Sequence, residues 1–350
     1  MNFFELYSMS EQDNIYMRRC FELARLGAGS VSPNPMVGSV IVYNGDVIGE
    51  GWHRKYGQAH AEVNAVASVK DKSLLKNSTI YVALEPCCHW GKTPPCAKLI
   101  IDSGIRRCVI ANTDPNPKVS GGGIRLLKEA GIDVVTGVLE SEGAFLNRRF
   151  FTNQNEKRPY VILKYAETAD GFIAPEGKGA WISNDALRVW VHRQRSEEDA
   201  IMVGYHTAMQ DNPQLNVRYY GGRNPKRIVF DKELSLPAQM HLKDNSQDTY
   251  IFNFKKDFKD GRNTYIRLDR NSEVVKSMLN YLYEQKICSL VVEGGRKTLD
   301  MFLQSDLWDE ANVITGTTNF NVGIPSPVIP IKAAKVETIG NNTLRTYFNK

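Results

Sequence analysis

The chain alternates short apolar runs with stretches in which apolar residues recur every three to four positions. From residue 13 to about 29, IYMRRCFELARLGAG has helical spacing and a glycine-rich exit. MVGSVIVY and DVIGEGW flank Asn44-Gly45, a dipeptide that suits the tight turn of a β-hairpin. AEVNAVASV then predicts a helix, STIYVAL a buried strand, and CAKLIIDSG a helix opened by Pro94-Pro95. RRCVIAN reads as a strand, GGIRLLKEAG as a helix, IDVVTGV as a strand and EGAFLNRRFF as a closing helix. This alternation describes a three-layer α/β domain with a largely parallel sheet.

TNQNEKR is polar and short, and PYVILKYAE begins a fresh strand, which places a boundary near residue 155 and predicts domains over 1–152 and 157–350. The second half repeats the α/β style. NDALRVWVHRQRS, EVVKSMLNYLYEQK and RKTLDMFLQS read as helices, while DAIMVG, KRIVFD and SLVVEGG read as strands. The two halves show no internal repeat. A length of 350 residues, about twice the usual domain, agrees with two cores.

Composition changes this picture little: 42% apolar and 24% charged residues are ordinary for a globular chain. No apolar run approaches the ~18 residues of a membrane span. MNFFELYSMSEQDN has no basic leader region, so the expected compartment is the cytoplasm. The net charge of +5 is spread evenly, with 17 basic against 15 acidic residues up to Phe150 and 27 against 24 after it. A nucleic-acid binder concentrates its positive charge. The expected partner is therefore a small molecule, with neither nucleic acid nor membrane.

The six cysteines lie at 20, 87, 88, 96, 108 and 288, three of them within ten residues. His60-Ala61-Glu62 opens a helix, Glu85-Pro86-Cys87 closes a strand, and Cys96 starts the next helix after WGKTPP. One imidazole and two thiolates make a three-ligand zinc site with a fourth position open to water. Glu62, two residues from the histidine, is suited to carry protons without binding the metal. H-x-E followed by P-C and a further cysteine is the pattern of zinc-dependent base deaminases. Each residue taken singly also fits a buried structural role. Cys88 remains an alternative to Cys87 as ligand, and His89 a weaker one. The two cysteines are separated by eight residues rather than two.

HAEVNA with YVALEPCCHWGKTPPC resembles the bifunctional riboflavin-biosynthesis deaminase/reductase family, to which the eight-residue gap belongs. Pro33-Asn34-Pro35, Gly51, His53 and DPNPKVSGGGIRLLKEAGIDVVTGV extend the likeness. Cys88 replaces the usual serine, and Lys92 stands where arginine is common. The resemblance implies a cytidine-deaminase-like first domain, with His60, Cys87 and Cys96 holding one zinc and Glu62 as proton shuttle. It implies hydrolytic deamination of 2,5-diamino-6-ribosylamino-4-pyrimidinone 5′-phosphate, a pyrimidine ribose phosphate.

The second half has no G-x-G-x-x-G fingerprint. Its local oddities are Asp170-Gly171, a helix start at Ser183-Asn184-Asp185, His192 with Arg195, and Val292-Glu293-Gly294-Gly295 between a strand and a helix. RPYVILKYAETADGFIA, GAWIS, HRQRS, DAIMVGYHTAMQDNPQLNVR and VVEGG resemble the same family's reductase domain, in order and spacing. That likeness implies a dihydrofolate-reductase-like α/β fold that uses NADPH to reduce the ribosylamino chain to ribitylamino. By the same likeness Glu167, Trp181, Thr207 and Asp211 would line the cofactor site. Arg195, Leu215, Arg218 and Glu293 would meet the substrate. Beyond residue 310 the family's Pro-x-x-x-Gly passage is missing. A homodimer or higher homo-oligomer is left open. The competing readings are a nucleic-acid deaminase and a non-enzymatic zinc protein.

Overall fold

Successive residues of a strand face opposite ways, so a strand apolar throughout needs cover on both faces. That is the state of the central strands in both halves of this protein. The structure is a computed structural model that describes residues 3–90, 94–116, 119–175 and 182–349. It divides into two compact units between Glu156 and Lys157.

The first unit runs α1 (Phe3–Arg25), β1 (Gly38–Tyr43), β2 (Asp46–Trp52), α2 (Ala61–Ser68), β3 (Thr79–Leu84), α3 (Cys96–Asp102), β4 (Arg107–Asn112), α4 (Gly122–Glu129), β5 (Asp133–Thr136), α5 (Glu140–Leu146) and α6 (Arg148–Glu156). Its sheet has the order β2-β1-β3-β4-β5. Val40, Tyr81, Val109 and Ala111 pack with Met17, Phe21 and Ala24 of α1 on one face. Their neighbours Ile41, Ile80, Val82 and Ile110 pack with Ala65 of α2, Ile100 of α3 and Leu127 of α4 on the other. Three layers result, as the pattern predicts.

Three details differ from the sequence reading. The sheet is mixed rather than largely parallel. β3, β4 and β5 run parallel, but β1 is antiparallel to both neighbours, because a hairpin must reverse the chain. The first helix begins at Phe3, ten residues early, since no glycine or proline interrupts FFELYSMSEQDN. The closing helix is two helices broken at Asn147, whose amide pairs with both main-chain groups of Met36 at 2.9 Å. The second of them continues through Thr152–Glu156, so that stretch is helix and not loop. Of its polar residues Asn153 is buried and Asn155 and Glu156 are exposed; the turn itself comes at Lys157, which adopts a left-handed φ of 56°.

The second unit comprises β6 (Tyr160–Glu167), β7 (Phe172–Pro175), α7 (Asp185–Glu197), β8 (Ala200–Gly204), α8 (Tyr205–Asp211), β9 (Lys226–Phe230), β10 (Thr249–Asn253), β11 (Phe258–Asp260), β12 (Asn263–Arg267), α9 (Val274–Glu284), β13 (Ser289–Val292), α10 (Arg296–Ser305), β14 (Glu310–Thr315), β15 (Gly323–Pro325), β16 (Lys335–Ile339) and β17 (Asn342–Phe348). Asn184 caps α7 at the expected start, its side chain accepting from the Leu187 N–H at 2.9 Å. Ten strands form one sheet in the order β11-β12-β10-β9-β8-β13-β6-β14-β17-β16. From β12 to β14 the neighbours are parallel. Helices α9 and α10 cover one face through Met278, Leu282, Leu299 and Phe302. The other face packs Ala208 of α8 against Ile201 and Val203, and Leu187 of α7 against Ile314.

The segment after residue 310 is fully built into this unit. β14 lies beside β6, and β15 pairs with β7 in a small separate sheet. Among the described residues no helix is long and apolar enough to cross a membrane.

Candidate active sites

In the first unit, β3 and β4 are parallel neighbours, so the loops leaving their C-terminal ends lie side by side. The first of those loops carries Cys87 toward α3, whose first residue is Cys96; His60 stands immediately before α2. The Nδ1 atom of His60 is 3.7 Å from Cys87 Sγ and 3.4 Å from Cys96 Sγ. Among the described residues these three form the one group of potential ligands whose donor atoms all lie within 4.8 Å of one another. The Cys96 N–H donates to Cys87 Sγ at 3.3 Å. The hydrogen bond from the Cys96 thiol, followed by that from His60, draws the Cys87 thiol down toward thiolate against the effect of burial. Cys96 is held up by the sulfur beside it. A soft donor set of two sulfurs and one imidazole, half-buried and converging on one point, fits zinc. Cys88 turns away, with its Sγ 3.8 Å from the Val119 carbonyl.

Glu62 is 3% exposed, one residue into α2. Burial, only partly offset by His60, lifts its carboxyl to about 7. A group near neutrality can both take and return a proton. His53 lies edge-on to His60, ring centroids 5.4 Å apart. Its Nδ1 donates to the Ala59 carbonyl at 3.1 Å and its Nε2 faces the Asn34 amide at 3.2 Å. Asp114, in the loop after β4, is buried, and burial lifts its carboxyl to about 6, with Cys87 among the charges that act on it. Lys92 lies outside the described residues.

In the second unit the parallel strands all end at one edge, where open α/β sheets bind ligands. Glu167 ends β6 and accepts a hydrogen bond from Thr315 Oγ1 at 2.9 Å. Thr207 sits in the first turn of α8, and its Oγ1 accepts the Gly295 N–H at 2.9 Å. A Cβ on Gly294 would lie 2.4 Å from the Gly204 nitrogen, so only glycine allows this approach of two strand ends. α10 starts at Arg296 behind Gly295, with no side-chain cap; the Gly295 and Thr298 N–H groups are bonded within the protein, so the amides this helix start would offer an anion are those of Arg296 and Lys297. Asp211 ends α8 and is exposed. Trp181 lies outside the described residues.

The expected substrate residues divide. Arg195, in the last turn of α7, holds the Glu293 carboxylate through Nε at 3.1 Å and Nη2 at 2.7 Å. Burial alone would raise the Glu293 carboxyl, but Arg195 and then Lys164 hold it at about 2. Arg195 Nη1 donates to the Asn216 carbonyl at 3.3 Å. Arg195 therefore already has a carboxylate partner. Arg218 is exposed; its N–H donates to His192 Nδ1 at 3.0 Å. Leu215 is 2% exposed and packs in the core with Ile201 and Val203, so only its main chain can meet a ligand. The sequence reading overlooked Lys164. A lysine inside the apolar run PYVILKYAE was its signal, and burial pulls its ammonium below the usual value.

Comparison with known proteins follows this division. The family model of the cytidine and deoxycytidylate deaminase zinc-binding region matches residues 10–112. That of the RibD C-terminal domain matches residues 159–319. The riboflavin biosynthesis protein RibD of Actinobacillus pleuropneumoniae is 43% identical over 291 residues, covering 80% of this chain and 77% of the relative. RibD of Aquifex aeolicus is 38% identical over 347 residues, covering 95% and 97%. A solved structure from Thermotoga maritima, named as a diaminohydroxyphosphoribosylaminopyrimidine deaminase/5-amino-6-(5-phosphoribosylamino)uracil reductase, is 38% identical, with a TM-score of 0.89 over 97% of this chain and 99% of that one. Similarity at this level, running through both units, means that the chain belongs to the RibD family of riboflavin-biosynthesis proteins.

Proposed function

We propose that the first unit hydrolytically deaminates 2,5-diamino-6-ribosylamino-4-pyrimidinone 5′-phosphate and that the second reduces the product's ribosylamino chain to ribitylamino with NADPH. Membership of the family makes the chain a bifunctional deaminase/reductase of riboflavin biosynthesis. What carries the assignment of the first reaction is the convergence of His60, Cys87 and Cys96 beside a buried Glu62. When bound there, zinc supplies Lewis acidity that makes water nucleophilic near neutral pH. Glu62 takes a proton from the attacking water and delivers one to the leaving amino group, so that ammonia departs. A carboxyl near 7 suits both halves of that task. Burial lowers the His53 imidazole below its usual value, against the Ala59 carbonyl that favours protonation, and so keeps a second positive charge away from the site.

For reduction, Gly294, Gly295 and Thr207 would cradle the phosphates of NADPH beside Glu167 at the end of β6; Asp211 and Trp181 are the further residues the family likeness assigns to the cofactor. The close packing of Gly294 on Gly204 and the uncapped start of α10 support this. Arg195, Glu293 and Lys164 form a charged cluster beside them. In it Glu293, ionised throughout the neutral range, can hold sugar hydroxyls. Arg218, exposed at the rim, is the cation open to the substrate phosphate. The substrate is a small pyrimidine ribose phosphate, and the even charge of both halves gives nucleic acid no basic stripe to follow.

The deciding measurement is product mass after the zinc-loaded protein meets the diaminopyrimidine phosphate and NADPH. Deamination adds about one mass unit as amino becomes oxo, and reduction about two more. A product with both changes is expected. A product with the first alone would remove the reductase assignment, and an unchanged substrate would remove both.

A further inference from the structure

Glu85 follows β3, two residues before Cys87, and is 4% exposed. Its carboxylate accepts four main-chain N–H groups. Oε2 takes those of Asp114 at 3.2 Å and Gly121 at 3.0 Å, and Oε1 takes those of Gly123 at 2.9 Å and Ile124 at 3.2 Å. All four donors belong to the segment that leaves β4 and enters the first turn of α4. Such charge-assisted bonds are stronger than neutral ones, and a buried acceptor ties their donors to one place.

The same segment presses on the residues around the cysteine ligand. A Cβ on Gly123 would come within 1.9 Å of the Pro86 carbonyl oxygen, and one on Gly122 within 2.6 Å of Cys88 Sγ. Cys88 Sγ in turn reaches the Val119 carbonyl at 3.8 Å. The run Gly121-Gly122-Gly123 thus lets the start of α4 be drawn down onto Glu85–Cys88. Asp114, at the head of the segment, is held by its own N–H to Glu85, and its Oδ1 accepts from Asn116 N–H at 2.8 Å.

We propose that Glu85 is a positioning residue for deamination: its carboxylate holds Asp114, Gly121, Gly123 and Ile124, with Gly122 and Gly123 packed on Pro86–Cys88, so that these residues form the wall that seats the pyrimidine beside the metal ligands. The inference rests on the deaminase reading of the first unit. Glu85 itself touches neither the ligand atoms nor the substrate. It acts through the segment it holds, whereas a cap serving stability alone would leave substrate affinity unaltered.

The test uses the full chain loaded with zinc. In Glu85→Gln one acceptor oxygen is replaced by an N–H₂ that faces two N–H donors. Zinc content should stay at the wild-type level, while hydrogen–deuterium exchange at Gly121, Gly123 and Ile124 rises about tenfold or more. KM for the pyrimidine should rise about tenfold, with kcat changed by less than about threefold. Gly123→Ala displaces the same segment with Glu85 intact and should reproduce the rise in KM. Faster exchange with an unaltered KM would overturn the proposal. So would loss of zinc in both variants, which would make the contact purely structural. If the wild-type chain neither binds zinc nor deaminates, the deaminase reading itself falls; if it does both, the variants test Glu85 alone.

Discussion

Glu62 and Glu293 are both buried carboxylates, yet their surroundings push them in opposite directions. Burial raises Glu62 to about 7, while Arg195 and Lys164 overcome burial at Glu293 and hold it at about 2. Glu62→Gln should keep its zinc and fold and lower deamination about 100-fold or more. Metal analysis and ammonia release check this; retained turnover would remove the proton-shuttle role. The sign of the Glu293 effect also follows. Its folded pKa is depressed, so the stability it contributes is present above the unfolded value of about 4.5 and is lost as pH falls toward about 2. Unfolding followed in the second unit between those limits should show that acid loss. Arg195→Ala should weaken it, leaving only the Lys164 contribution, and destabilise the unit by about 3 kcal/mol, since it leaves a buried charge without its hydrogen-bonded partner. Reduction should fall in that variant while deamination stays near normal. Equal loss of both activities would contradict the separation of the sites.

At the scale of elements, the chain shows which patterns are legible locally. Strand and helix periods placed β1 to β5 and α2 to α4 because each has two apolar faces or one apolar stripe within a few residues. The stretch Thr152–Glu156 misled because polar residues do not by themselves mark a loop: it is the last turn of α6, with Asn153 buried and Asn155 and Glu156 exposed. β14 and β15 were unread because their strand character depends on partners far away in sequence, β6 and β7, whereas β16 pairs with its chain neighbour β17. The strand ends carry a sharper prediction. Gly294→Ala would set a Cβ 2.4 Å from the Gly204 nitrogen and 2.7 Å from the Val203 Cα, main-chain atoms that cannot swing aside. Its KM for NADPH should rise about tenfold or more, with deamination unaffected as an internal control. An unaltered KM would move the cofactor away from this edge.

For the whole molecule, two catalytic units on one chain keep the deaminated intermediate near the second site, which raises its local concentration without requiring a channel. They also make the two reactions separable. Removing zinc with a chelator should stop deamination and leave reduction of an already deaminated pyrimidine at its full rate, and added zinc should restore the first step. Loss of both rates on chelation would mean that the second unit depends on the metal.

Read along the line alone, the chain already carries the α/β class of both halves and the donor chemistry that suits zinc. Periodicity and donor chemistry are local properties that a linear reading can carry. Tertiary structure decided what depends on distant partners. It turned Cys87, and not its neighbour Cys88, toward His60. It gave Arg195 to Glu293, sank the Leu215 side chain into the core, and brought Lys164 to both charges. Glu85 illustrates the difference: in the sequence it is one letter of a motif, and in the fold it is the acceptor of four N–H groups lying 29 to 39 residues away. Only closure of the chain around the sheet brings those donors to one carboxylate, because their approach is fixed by the pairing of β3 with β4 and by glycines that admit it.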